Sequence, residues 1–93
     1  MLTPSVVHRG EAVLISGSAG SCPVGDAVIV ISHGLPRIHE FAGVPAVLTP
    51  VGTDGRFRAS TRVPLTKRPG RYAVTARCGG GNFGLLVTLT VVR

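Results

Sequence analysis

The sequence predicts an all-β domain, an antiparallel sandwich of seven to eight short strands spanning residues 1–93. Three observations carry the prediction. Short runs of alternating apolar and polar residues follow one another between Gly, Pro and Asp-Gly breakers, the pattern of half-buried strands joined by turns. No segment has the 3.6-residue apolar period of a helix. The chain holds only two cysteines, Cys22 and Cys78, and a domain of this size buries only about 60 to 70% of its extended surface, so one bridge would matter to its stability.

Strand A is Thr3 to His8, where Pro4 suits a first or edge strand that lacks a ladder donor. Arg9-Gly10 turns the chain into strand B, Glu11 to Gly17, with Val13 and Ile15 on one face and Ala12, Leu14 and Ser16 on the other. Ser18 to Gly25 is a loop carrying Cys22. Strand C, Asp26 to Ser32, is apolar on both faces, which suits a central strand or one whose outer face meets a partner. His33 to Val44 is irregular, with a short edge strand near Ile38 to Phe41. Strand D, Ala46 to Val51, carries Pro50 and suits an edge. Gly52-Thr53-Asp54-Gly55 is a hairpin signal, and strand E, Arg56 to Val63, points Phe57, Ala59, Thr61 and Val63 inward. After Pro64 to Pro69 comes the strongest segment, strand F, ending at Cys78, with Tyr72, Val74, Ala76 and Cys78 on one face. Gly79 to Gly84 reads as a flexible loop holding Phe83, and Leu85 to Val92 closes the chain as strand G with Leu85, Val87, Leu89 and Val91 on one face.

Two cysteines allow one intrachain pairing, and a Cys22–Cys78 bridge implies an oxidising compartment. In the chain-entropy model its loop is worth roughly 4 kcal/mol. No apolar run reaches membrane-spanning length, and Met1 to Ile15 lacks the order of a secretory leader, so the segment reads as a mature unit or one module of a longer surface protein.

Ten Lys plus Arg stand against four Asp plus Glu, for a net charge of +6 and a pI near 11.2. Anionic partners are favoured, although Lys67 is the sole lysine and the arginine excess also fits a high-GC coding bias. Arg56, Arg58 and Arg62 project from strand E and Arg71 and Arg77 from strand F. In a sandwich that separates E from F, this charge is split between two faces.

The run Gly-Glu-Ala-Val-Leu-Ile-Ser-Gly-Ser with Cys22, then Thr53-Asp54-Gly55-Arg56-Phe57, Val63-Pro64 and Pro69-Gly70-Arg71-Tyr72 to Cys78, resembles bacterial secreted and cell-surface immunoglobulin-like domains. The resemblance implies a Greek-key sandwich and an extracellular module that acts as a spacer or as a protein-interaction or adhesion unit. It implies that the loops holding Cys22 and Cys78 share one pole, and that Tyr72 is a tyrosine-corner-like residue bonding backbone before strand F. The chain departs from antibody-type domains: it has no tryptophan, and Cys22 follows strand B, so the bridge would tie loops. A fainter similarity to neocarzinostatin-like apoproteins implies a small-ligand cleft at the loop pole or beside His33 to Val44, without the two short-range disulfides of that family.

The titratable inventory suits no nucleophilic triad, which needs a base and an orienting group around the nucleophile; the expectation is no enzyme. His33, His39 and Glu40 match no metal-binding spacing, so neither metal nor cofactor is expected. Four aromatics are too few for sugar or nucleobase stacking. The expected partner is a protein or an anionic wall or surface polymer, with no specific nucleic acid and no membrane insertion. Candidate contacts are Phe83, Arg56, Arg58, Arg62, Arg71 and Arg77. Self-association through Ile29, Ile31, Leu86 and Val92 is a third possibility.

Overall fold

The computed structural model describes the backbone of residues 2–3, 5–20, 22–78 and 81–93, and the side chains of 5–20, 22–78 and 87–93. The described residues form nine strands and no helix: β1 (Leu2–Thr3), β2 (Val6–His8), β3 (Ala12–Ser18), β4 (Ala27–Ile31), β5 (His39–Phe41), β6 (Val44–Pro50), β7 (Arg56–Arg62), β8 (Gly70–Cys78) and β9 (Gly81–Val92). They make a three-stranded sheet, β1-β3-β7, and a six-stranded sheet, β2-β9-β8-β4-β6-β5. The chain is all-β, but the larger sheet is mixed, because β2 runs parallel to β9.

Alternation builds the core. Val13 and Ile15 from β3 and Phe57 and Ala59 from β7 meet Val28 and Val30 from β4, Val74 and Ala76 from β8, and Leu89 and Val91 from β9, each at most 2% exposed. Complete burial of the Val, Ile, Leu and Phe side chains among them contributes about 1.5 to 3 kcal/mol each. The inward row of strand E and the shared-face rows Val13–Ile15 of strand B and Tyr72–Cys78 of strand F thus meet in one cluster, with Thr61, Tyr72 and Cys78 half-buried at its margin.

Four expectations change. Thr3 to His8 is not one strand: Leu2 and Thr3 pair with β3, while Val6 to His8 run beside β9 and Thr90 N donates to Ser5 O at 2.9 Å. Pro4 lies outside the described residues. Division between the sheets lets the first half of the segment pair with β3 and the second half with β9, so both sheets gain backbone partners from it. The second change concerns strand D. The Gly52–Gly55 turn forms, with Gly55 N donating to Gly52 O at 2.9 Å, but β6 and β7 belong to different sheets. Val51 N donates instead to Asp26 O, and β6 pairs with β4 on one side, Ala27 opposite Pro50, and with β5 on the other, so it is not the edge strand that Pro50 suggested.

Third, the segment at Gly79 to Gly84 is extended from Gly81, with Arg77 opposite Asn82 and a register shift between Thr75 and Arg77; Gly79 and Gly80 lie outside the described residues. Fourth, the outer face of β4 is less open than its composition implies. Ile29 and Ile31 are half-buried within a row structure that places Arg77, Ile29 and Leu48 side by side. The Arg77 guanidinium lies 4.6 Å from the Phe41 ring centroid, an attractive stacking that joins β8 to the edge strand β5.

Cys22 and Cys78 form a disulfide with Cα atoms 6.0 Å apart, which indicates an oxidising compartment. No helix among the described residues is long and apolar enough to cross a membrane.

Candidate functional site

Register defines two ends of the molecule. Val28, at the start of β4, faces Cys78, at the end of β8, so the bridge closes one end. The other end collects the turn at 9–11, the loop 32–38 that leaves β4, and the loop 63–69 that enters β8. The buried Ser32 shapes the second of these: its hydroxyl accepts from Gly34 N at 3.1 Å and its carbonyl from Leu35 N at 3.3 Å. This serine turn drives Leu35 into the core and leaves Ile38 76% exposed. Gly34 makes the close approach possible, since a Cβ there would stand 3.2 Å from Tyr72 Cβ and Cγ and from Leu89 Cδ2.

In the facing loop, Lys67 N donates to Pro64 O at 3.1 Å, so Leu65 and Thr66 form the tip and Leu65 is 75% exposed. Leu65 lies across Gly10, whose φ of +84° favours glycine and whose added Cβ would come within 2.6 Å of Leu65 Cδ2. Tyr72 Oη donates to Arg68 O at 2.5 Å, and Lys67 Nζ stands 5.8 Å from the Tyr72 ring centroid.

These loops enclose two adjoining concavities. A groove of about 580 Å³ has apolar walls from Pro36, Ile38, Val63, Pro64 and Leu65, with Gly10 and residues 60–62 completing it. A pocket of about 320 Å³ is lined by His33, Arg37, Thr66, Lys67, Arg68 and Tyr72. Consecutive residues of each loop serve the two in turn, Pro36 and Ile38 against Arg37, and Leu65 against Thr66. Neither lining contains a carboxylate. Arg37 is paired with Glu40 at 2.5 Å, while Lys67 and Arg68 have no carboxylate partner among the described residues.

The sequence-derived contacts are dispersed. Arg56 and Arg58 are exposed on β7, and Arg58 bonds Asp54 at 2.8 Å, which holds the Asp54 carboxyl below its ordinary value, with Arg56 N adding a second hydrogen bond. Arg62 reaches the groove, donating to Gly10 O at 3.2 Å. Arg71 is exposed and Arg77 half-buried on β8, in the other sheet. The side chain of Phe83 lies outside the described residues, as does that of Leu86, whereas Val92 is half-buried. His33, His39 and Glu40 do not converge; the cluster with ligand-like proximity among the described residues is Cys22, Asp26 and Cys78 within 4.8 Å, and its two sulfurs are bonded to each other.

Sequence reasoning did not assemble Arg37, Lys67 and Arg68 around Tyr72. The signal in the sequence is confined to the basic composition of Thr66-Lys67-Arg68 beside the strand-opening Pro69-Gly70.

No family model matches the chain. A carboxylic ester hydrolase of Gibberella moniliformis is 42% identical to it over 53 residues, 57% of this chain. The chain spans about 10% of the length of that relative. Among solved structures, the chain is similar to a crystal structure of an uncharacterized protein from Bacillus anthracis str. Ames, with a TM-score of 0.56 and 15% identity over 95% of this chain and 76% of that one. That likeness concerns the fold alone.

Proposed function

We propose that this chain is a non-enzymatic, extracellular immunoglobulin-like module whose role is binding, within or alongside a larger secreted or cell-surface protein. The observation that carries the reading is the 53-residue match inside a far longer ester hydrolase, which favours a unit that accompanies other domains. The disulfide supports an extracellular setting. Sheet order supports the immunoglobulin-like assignment: β9-β8-β4 corresponds to strands G, F and C, β1-β3-β7 to A, B and E, and β6 and β5 extend the first sheet beside β4 as additional strands do in variable-type domains. The Tyr72 hydroxyl on Arg68 O is the bond a tyrosine corner makes.

A second reading, a small-ligand protein, is favoured by the groove and basic pocket beside residues 33–38. Within the first reading, these concavities favour binding over a bare spacer, because a surface with exposed Ile38 and Leu65 presents apolar area to a partner. The test of the non-enzymatic reading is incubation of the purified chain with p-nitrophenyl esters of short and long acids. Release at the rate of buffer alone is expected; turnover proportional to protein concentration would overturn it.

A further inference from the structure

We infer that the pole formed by loops 32–38 and 63–69 binds a single-chain anionic amphiphile, with its apolar chain in the groove and its carboxylate against Lys67 and Arg68. The inference rests on the binding-module reading and names the ligand class for that module.

The groove supplies the first half of the argument. Ile38 and Leu65 are the most open of the large apolar side chains described, and they stand over one concavity together with Pro36, Val63 and Pro64. Its volume of about 580 Å³ lies in the range of small-molecule sites. Five apolar side chains are few for a stable protein interface, which takes about 20 to 30 residues a side.

Charge supplies the second half. The basic pocket begins one residue beyond Leu65, and its cations face no carboxylate in either lining. Arg37 is engaged by Glu40, which leaves Lys67 and Arg68 to meet an incoming anion. The Lys67–Tyr72 contact holds that cation beside the half-buried ring, and the Tyr72 hydrogen bond to the Arg68 carbonyl fixes the backbone that carries the second cation. A ligand with an apolar chain and one terminal anion satisfies both concavities; a neutral chain leaves the cations unanswered, and a short acid leaves the groove open to water.

The experiment is a titration of the isotopically labelled chain, followed by amide shifts, with decanoate, octanoate, decanol and decyltrimethylammonium. Decanoate is expected to shift the amides of residues 10, 37–38, 61–63 and 65–68 saturably, and to bind about tenfold more tightly than octanoate, the value for two buried methylenes. Lys67→Glu with Arg68→Glu is expected to weaken decanoate by tenfold or more and to leave decanol within about twofold, since only the former carries charge. Ile38→Asn and Leu65→Asn alter exposed positions and are expected to weaken both ligands, with unchanged melting confirming the fold. Equal affinity for decyltrimethylammonium, shifts centred on Arg56 and Arg58, or no saturable binding would each overturn the inference. Hydrolysis of p-nitrophenyl decanoate, read on the same sample, would overturn the non-enzymatic reading separately.

Discussion

The hydroxyl of Tyr72 donates to the carbonyl of Arg68, 2.5 Å away and four residues upstream, so the side chain that opens β8 against the core also closes the loop before it. Gly34 packs against the same side chain from the facing loop. A single residue thereby sets the spacing of the two loops that form the groove and the pocket. Tyr72→Phe removes the bond and keeps the ring. It is expected to cost about 1 kcal/mol and to lower Tm by roughly 5 °C. Calorimetry checks this; an unchanged Tm would show that water replaces the hydroxyl at no cost.

The disulfide is expected to contribute more. Cys22 and Cys78 are 56 residues apart in sequence, and release of that loop in the unfolded chain corresponds to roughly 4 kcal/mol. Cys22→Ser with Cys78→Ser should shift the urea midpoint by a corresponding amount, and reduction of the wild-type chain should reproduce the loss. A double variant as stable as the parent would contradict this.

Acid sensitivity has a local origin at the β6–β7 turn. Asp54 accepts from Arg58 Nη2 at 2.8 Å and from Arg56 N at 3.1 Å, and its pKa is lowered from the ordinary 3.8. A depressed carboxylate pKa stabilises the fold above the unfolded value and loses that contribution as pH falls through the folded value. Asp54→Asn is expected to be less stable than the parent at neutral pH and to converge with it as pH falls through the folded-state pKa, which lies below the ordinary 3.8. Urea midpoints measured across this range test it, and a difference independent of pH would refute the assignment. The pair is exposed, so the effect is expected to shrink in high salt.

The β5–β6 hairpin offers a stabilising change. Ala42 has φ of 51° and Gly43 of 83°, so both central positions are left-handed. Ala42 is the non-glycine residue among those described that adopts positive φ, and its Cβ is disfavoured there by about 1 kcal/mol. Ala42→Asn, which supplies the Asn-Gly pair this turn favours, should raise stability by about 0.5 to 1 kcal/mol. A lower Tm would show that the turn relaxes away from this geometry.

Much of the architecture was legible in period-two patterning. Alternation points Phe57 and Ala59 inward and places Val13 with Ile15, and Val74 with Ala76, on shared faces, and each of these pairs lies in the core. The bridge was legible as well, because two cysteines leave one pairing and β4 and β8 bring them to one end. The edge strand expected near Ile38 to Phe41 forms as β5, whereas the Ala42-Gly43 turn that closes its hairpin was not legible, because Ala is an unusual occupant of a left-handed turn position.

Alternation and turn chemistry are local properties, written in neighbouring residues, and they specify which segments extend and which face each side chain takes. Sheet membership is not local. Nothing in Val44 to Pro50 states that it will pair with β4 while the next strand joins the other sheet, nor that residues 2–8 will divide between the two. The groove and pocket arise from the same cause: Ile38 and Leu65, or Arg37 and Lys67, are about 30 residues apart and meet because β4 and β8 place their loops at one end. Long-range packing of the two sheets, through backbone pairing and apolar burial, brings residues far apart in sequence into one site.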